Sequence, residues 1–255
     1  MLLTIDAGNT HTVVGLFRGE ELVDHWRIAT VAERTSDELA LMIQQFLGFH
    51  GFTFGDEITG VAVSSGVPMV TAALREMTDR YFGFSALVLE PGVRTGMPIL
   101  YDNPKDVGAD RIANAIGAYD LYGGPVIVVD FGTATTVEAV SAKGEYLGGA
   151  IVPGIEISLD ALFGRAAGLR RVELVAPRNV IGKSTVESIQ SGVVYGFSGQ
   201  VDALVDRVKD EIGPAEVIST GGLAELIGPH TRSVRHYEPW LTLYGLRIVF
   251  ERNQP

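Results

Sequence analysis

Cysteine is absent from the 255 residues, which excludes a disulfide framework and any zinc–thiolate site. Basic residues are scarce beside acidic ones: 20 Lys and Arg against 31 Asp and Glu give a formal net charge of −11. Such a surface repels phosphodiester backbones, so general nucleic-acid binding is not expected. A nucleotide is a different case, because backbone amides and a metal ion can neutralise its phosphates locally. Long apolar runs are missing too. A membrane helix needs roughly 18 apolar residues, whereas the best run, Pro125 to Val129, stops at Asp130. No membrane association is expected. Met1 to Asp6 carries no basic region and reaches a carboxylate early, so no secretory leader is expected and a cytoplasmic location fits. What remains is 46% hydrophobic and 20% charged, enough to bury a full core.

Near the midpoint the chain repeats itself. Residues 3–14 read LTIDAGNTHTVV and residues 127–138 read IVVDFGTATTVE. At an offset of 124, Asp6/Asp130, Gly8/Gly132, Thr12/Thr136 and Val13/Val137 are identical. Each copy reads as an apolar strand, an Asp-x-Gly turn and a second strand, the start of a β-hairpin. Further on, Gly60–Gly66 and Glu216–Gly222 both run from apolar strand through hydroxyl residues to glycine. The expectation is two α/β lobes, residues 1–123 and 124–255, each a mixed sheet opened by a hairpin and flanked by helices.

Helices can be placed coarsely from apolar periodicity. Ser36 is a candidate cap for a helix carrying Leu39, Ile43 and Leu47, and Pro68 suits the first turn of one running to about Phe82. Asp106 to Tyr122 and Thr185 to Ile212 are also expected to be helical, with a last helix opening at Pro239. Gly192, Gly196 and Gly199 on the longest of these mark a bend or a close helix contact.

The chemistry concentrates in three places. Asp6-Ala7-Gly8-Asn9-Thr10 sits where one strand turns into the next; its glycine allows close approach, its Asn tolerates a left-handed backbone, and its amides can point into an anion. Asp6 can hold a hydrated divalent cation. Asp130-Phe131-Gly132-Thr133-Ala134 repeats the design, and two such loops on opposite sides of a cleft would clamp a triphosphate and its metal. Either loop alone is equally an ordinary hairpin turn; the repetition favours nucleotide. Between them, Asn103-Pro104 marks a turn and Asp110 falls in a first helical turn, where the dipole keeps a carboxylate ionised. Such an Asp can accept a proton from a substrate hydroxyl during phosphoryl transfer, although acidic residues also occupy first turns for helix stability alone. Arg111 could grip a substrate carboxylate.

Two partial motifs carry no weight. Gly182-Lys183-Ser184-Thr185 resembles the end of a P-loop, but Pro177 stands where that motif needs glycine. Asp130-Phe131-Gly132 spells a protein-kinase triplet without the other kinase blocks. The five histidines, among them His11 in the first loop, form no metal-binding spacing.

Taken in order, Asp6–Thr10, Asn103–Arg111, Asp130–Thr135, Leu147–Gly154 and Gly182–Thr185 resemble the blocks of type III pantothenate kinase over essentially the whole chain. The resemblance implies an α/β fold of duplicated actin/ribonuclease H-like lobes, as in hexokinase-like enzymes. It implies ATP-dependent phosphorylation of pantothenate, the first step of coenzyme A biosynthesis. By motif match, Asp6, Ala7, Gly8, Asn9, Thr10, His11, Thr12 and Val13 would cradle the ATP phosphates, with Thr133 touching the nucleotide. Asp110 would be the general base. Gly108, Ala109, Asp110 and Arg111 would bind pantothenate, with Tyr101 and Thr185 beside them. Asp130 would hold a monovalent cation, K+ or NH4+, and Asp6 is the carboxylate for Mg2+. Members act as homodimers. Gly221-Gly222 is a candidate adenosine-facing turn.

One position departs from the family pattern: Ser184 stands where Asn is common, keeping a hydroxyl and losing an amide. The rival expectations are a non-catalytic accessory regulator on the same fold, or a kinase for another small hydroxylated acid or sugar.

Overall fold

The computed structural model describes residues 1–54, 57–166 and 168–254. Two compact units make up the chain. One comprises residues 1–98, 102–117 and 241 onward; the other comprises residues 99–101 and 118–240.

The first unit contains β1 (Leu2–Ala7), β2 (His11–Arg18), β3 (Glu21–Ala29), α1 (Ser36–Gly48), β4 (Gly60–Ser65), α2 (Pro68–Met77) and β5 (Leu87–Val88). Then α3 (Ala109–Tyr122) starts in the first unit and ends in the second. The second unit continues with β6 (Val126–Phe131), β7 (Ala134–Val140), β8 (Tyr146–Pro153), α4 (Ile155–Arg165), α5 (Thr185–Ile212), β9 (Glu216–Thr220), α6 (Ala224–Ile227) and β10 (His236–Tyr237). The last helix, α7 (Leu241–Arg252), returns to the first unit.

Each unit is built on a five-stranded mixed sheet, ordered β3-β2-β1-β4-β5 in the first and β8-β7-β6-β9-β10 in the second. Strand for strand the orders correspond: an antiparallel three-stranded meander, then two parallel strands. The expected duplication is therefore present in the topology.

The register of the hairpins corrects the sequence alignment. Asp6 pairs with Val13, whereas Asp130 pairs with Thr136, so the first turn is one residue longer. Past the turn the equivalent residues lie at an offset of 123. Thr12 matches Thr135, Val14 matches Val137 and Thr10 matches Thr133, while the identities Thr12/Thr136 and Val13/Val137 are out of register. Asn9 is the inserted residue.

Central strands have no solvent face, which is why β1 and β6 read as nearly continuous apolar runs. Leu3, Ile5 and Ala7 of β1 pack with Leu39, Ile43 and Leu47 of α1 and with Val70, Leu74 and Met77 of α2. Fully burying each such aliphatic side chain contributes about 1.5–3 kcal/mol. On the opposite face lies α7, so close that a Cβ on Gly60 would sit 2.0 Å from Phe250 Cζ, and one on Gly15 would sit 2.8 Å from Leu243 Cδ1. In the second unit Ile127, Val129 and Phe131 of β6 pack with Ile155 and Leu159 of α4 and with Val194, Val201 and Val205 of α5.

Several helix boundaries shift from expectation. The cap of α1 is Thr35, not Ser36: Thr35 Oγ1 accepts the Glu38 amide at 3.3 Å while Glu38 Oε2 accepts the Thr35 amide at 2.8 Å. That reciprocal pair outcompetes a neighbouring serine lacking a Glu at the right spacing. The α2 segment continues to Phe82 through a wider π turn. Residues 104–106 form a separate 3₁₀ turn capped by Asn103, so α3 opens at Ala109 instead of Asp106. Likewise α7 opens at Leu241, two residues past Pro239. The glycines of α5 are not close-packing points within the chain, since a Cβ at Gly192, Gly196 or Gly199 meets nothing within 4 Å.

Candidate active site

Asp6 stands one residue before the end of β1, opposite Val13 on β2 and Ser64 on β4. Its strand has partners on both sides, which fixes the backbone under the carboxylate. After Ala7 the chain turns through Gly8, Asn9 and Thr10, closed by the Gly8 amide donating to His11 O at 3.0 Å. The root of the loop is held again at Thr30, whose amide donates to Thr10 O at 2.9 Å and whose hydroxyl lies 2.8 Å from that of Thr12. Asn9, Thr10 and His11 are exposed and Thr12 is buried. No described residue other than glycine has a positive φ, and Gly8 itself is not left-handed. Asn9 would tolerate a left-handed backbone but does not adopt one, and the longer turn closes in ordinary backbone. Gly8 is tight for another reason, because its Cβ would stand 3.3 Å from His11 O.

Asp110 is the second residue of α3 and is exposed, whereas Arg111 beside it is only 9% exposed. The Asp110 carboxylate folds back to accept the Arg111 amide at 2.8 Å. That places a negative charge on the open donors of a helix start. Gly108 makes this possible, since a Cβ there would lie 2.4 Å from Asp110 Oδ1. Upstream, Asn103 accepts the Lys105 amide at 3.3 Å and donates to Asp106 Oδ1 at 2.8 Å, which locks the turn leading into the helix. Further along α3 the helix meets α7 almost backbone to backbone: a Cβ on Gly245 would lie 1.9 Å from Ala113 O. The Thr242 hydroxyl donates to the buried Asn114 at 2.7 Å. The first loop and the Gly108–Arg111 stretch belong to the first unit.

In the second unit Asp130 repeats the position of Asp6, opposite Thr136 on β7 and Thr220 on β9. The turn is Gly132-Thr133, both exposed, with the Gly132 amide donating to Ala134 O at 3.1 Å. Two further glycines press on it. A Cβ on Gly221 would lie 2.4 Å from Asp130 Oδ1, and one on Gly154 would lie 2.2 Å from Thr133 O. The Gly154 amide donates to that same Thr133 carbonyl at 3.2 Å. Thr136 is on the same sheet face as Asp130 and its buried hydroxyl has no partner among the described residues. A carboxylate and a hydroxyl on one sheet face are the oxygen ligands that a hard monovalent cation takes. In the sequence Thr136 is only a repeat identity and Gly154 only the end of a family block; the fold is what brings both to the loop.

Tyr101 lies in the second unit, its ring 3.2 Å from where a Cβ on Gly148 would be and 6.4 Å, centre to centre, from the ring of Tyr146. Thr185 is exposed and opens α5. The motif before it is a helix start: Ser184 caps, accepting the Glu187 amide at 3.2 Å, and Glu187 accepts the Lys183 amide at 2.8 Å. Gly182 is required there because a Cβ would meet Ser188 N at 2.5 Å. Serine and asparagine cap equally well, so Ser184 performs the local task that asparagine would. Thr185 also borders a cavity of about 790 Å³ lined by Leu159 and Leu162 of α4 and by Ile189 and Phe197 of α5.

Among the described residues no group of three or more His, Asp or Glu side chains is arranged for a metal ion. Magnesium bound with a nucleotide uses one or two carboxylates, phosphate oxygens and water, so the single Asp6 carboxylate fits that mode.

The family model for type III pantothenate kinase matches residues 2–207. A type III pantothenate kinase from Streptomyces griseus is 59% identical over 261 residues, covering 99% of this chain and 98% of that protein. Those from Thermobifida fusca and Moorella thermoacetica are 54% and 55% identical, each covering 99% of this chain and all of the relative. Among solved structures, component A of the (R)-2-hydroxyglutaryl-CoA dehydratase of Acidaminococcus fermentans superposes with a TM-score of 0.61 at 14% identity, covering 99% of both chains. The activator of the 2-hydroxyisocaproyl-CoA dehydratase of Clostridium difficile, solved with ADPNP, gives 0.60 at 12% identity, covering 98% of this chain and 94% of that one. These two speak to fold alone. The full-length identities do more: the chain belongs to the type III pantothenate kinase family.

Proposed function

We propose that the chain transfers the γ-phosphoryl group of ATP to the primary hydroxyl of pantothenate, the first step toward coenzyme A. The observation that carries this reading is Asp110, an exposed carboxylate fixed at a helix start by Gly108 and the Arg111 amide, in a chain of this family. Phosphoryl transfer requires positioning and charge stabilisation more than covalent chemistry. Asp110 accepts the hydroxyl proton as the substrate oxygen bonds to phosphorus and the bond to the ADP oxygen breaks. Arg111 pairs with the pantothenate carboxylate, and Gly108 and Ala109 leave room for the chain between. Tyr101 and Thr185 complete the pantothenate contacts. Residues Asp6 to Val13 bind the phosphates, with Thr133 on the nucleotide. A magnesium ion held by Asp6 would neutralise phosphate charge, and K+ or NH4+ held by Asp130 and Thr136 would do the same near the second loop.

ADP release measured by a coupled assay, with potassium and magnesium present, tests the reading. Release that depends on pantothenate and exceeds that with sugars or other small carboxylates is the expected result. No release with any acceptor would favour an accessory regulator, and faster release with another acceptor would reassign the substrate.

A homodimer is part of the proposal. Ile157, Leu162, Val180, Ile181 and Val186 are large apolar side chains left exposed around α4 and the start of α5, Ile181 at 80%. On α5, Gly192, Gly196 and Gly199 leave space where side chains would stand. Sedimentation at micromolar concentration should give twice the chain mass; a monomer there would remove this part. The duplicated lobes are proposed to divide at residues 123 and 124, where Gly123 ends α3 with its amide on Tyr119 O at 2.9 Å. Because α7 packs in the first unit, limited proteolysis tests the division: first cleavage within 118–126 would support it, and first cleavage elsewhere would count against it. A cytoplasmic location is proposed as well. Among the described residues no helix is long and apolar enough to cross a membrane, and recovery of the native protein in a membrane fraction would contradict the proposal.

A further inference from the structure

We infer that Glu138 and Tyr146 position Tyr101 for the substrate, an inference that rests on the pantothenate reading of Tyr101. Glu138, on β7, and Tyr146, at the start of β8, are both fully buried. The Tyr146 hydroxyl donates to the Glu138 carboxylate. A charged side chain at a position with no exposed surface is costly unless it is bound by donors, so this carboxylate is a deliberate feature of the sheet. Neither residue lies in a loop or carries a group named above for binding or transfer.

Tyr146 reaches Tyr101 in two ways. Its carbonyl accepts the Leu100 amide at 2.8 Å, and Ile99 bridges to it in parallel, so the backbone entering Tyr101 is an extension of the sheet at that one residue. Its ring packs against the Tyr101 ring in a tilted pair, 6.4 Å between centres and 51° between planes, within the range of favourable aromatic contacts. Tyr101 also rests on Gly148, which has φ +107 and no side chain to push the ring away. A tyrosine whose backbone and ring are both tied to one buried neighbour points its hydroxyl in one direction. That neighbour is in turn oriented by Glu138. The three residues form a relay of position, and no proton moves along it.

The consequence for turnover is specific. Loosening Tyr146 lets Tyr101 sample other rotamers, which weakens pantothenate binding and leaves ATP binding as it was. Tyr146→Phe removes one oxygen, and Glu138→Gln keeps the shape and one acceptor. Steady-state kinetics of both, with thermal melts to verify folding, should show the KM for pantothenate rising about three- to tenfold, the scale of one lost or weakened hydrogen bond. The KM for ATP should stay unchanged. In a Tyr101→Ala background, adding Tyr146→Phe should raise the pantothenate KM no further.

An unchanged pantothenate KM in both folded variants, an equal rise for ATP, or additivity with Tyr101→Ala would each overturn the inference. Should Tyr101→Ala itself leave the pantothenate KM untouched in an active enzyme, the relay fails while the kinase reading stands. A wild-type chain without pantothenate turnover removes both at once, and the two failures are told apart by that control.

Discussion

A methyl group at Gly108 would lie 2.4 Å from Oδ1 of Asp110. The glycine is therefore what permits the carboxylate to fold back onto the Arg111 amide. Gly108→Ala must rotate Asp110 away or shift the start of α3. Misplacement by an ångström at a reacting centre costs on the order of 10- to 100-fold, and a fall of that size in kcat is expected with the melting temperature little changed. A kcat equal to wild type would show that Asp110 does its work from another rotamer.

Asp110→Asn keeps the shape and the accepted amide hydrogen bond but cannot take a proton. A loss of about 10²- to 10⁴-fold in kcat is expected, the usual contribution of a general base. Nucleotide affinity, read by titration calorimetry, should survive. Turnover near wild type would require another base or none.

Gly221 packs against the Asp130 carboxylate, where a Cβ would stand 2.4 Å from Oδ1, and Thr136 presents a hydroxyl on the same sheet face. Activity in potassium should exceed activity in sodium at equal ionic strength. Gly221→Ala, whose Cβ would strike the Asp130 carboxylate, should remove most of that difference. Equal rates in both salts for the native chain would end the cation assignment.

Acid stability should depend on Asp202. Burial alone would raise its pKa, but the amides of Arg232 and Ser233, at 2.9 and 3.0 Å, and the Ser233 hydroxyl, at 2.7 Å, outweigh it and the net shift is downward. A carboxylate with a depressed folded-state pKa stabilises above its unfolded value and loses that contribution as pH falls through the folded one. Asp202→Asn should melt lower than wild type at neutral pH, with the gap closing below about pH 4. A constant gap across that range would mean that the ionised form is not what matters.

Helix α7 crosses α3 with Gly245 against the Ala113 carbonyl, where a Cβ would stand at 1.9 Å. Overpacking typically costs about 1–3 kcal/mol, so Gly245→Ala should lower the melting temperature by roughly 3–10 °C. An unchanged melt would show that the two helices separate at little cost.

Local signals were the legible part. Thr185–Ile212 is one helix because Ser184 caps it and its apolar residues keep one period to Ile212. The strand-turn-strand repeat was visible because a central strand must be apolar and its turn must hold a glycine. What failed was register: Asn9 lengthens one turn by a residue, and a linear offset cannot see that. Ser36 lost to Thr35 for a similar reason, since a cap depends on which neighbour has Glu three residues on. At the candidate site, Asp6 and Asp130 stand out in sequence because each ends an apolar strand two residues before a glycine, and Asp110 because it opens a helix two residues after one. Glu138 and Tyr146 do not, since each finds its partner on another strand.

The return of α7 to the first sheet bears on the order of synthesis. Residues 241–252 cover one side of the sheet, with Phe250 against Gly60 of β4 and Leu243 against Gly15 of β2. The unit that opens the chain is therefore finished by its last helix. While the ribosome makes residues 118–240, the amino-terminal sheet lacks the helix that covers one of its sides.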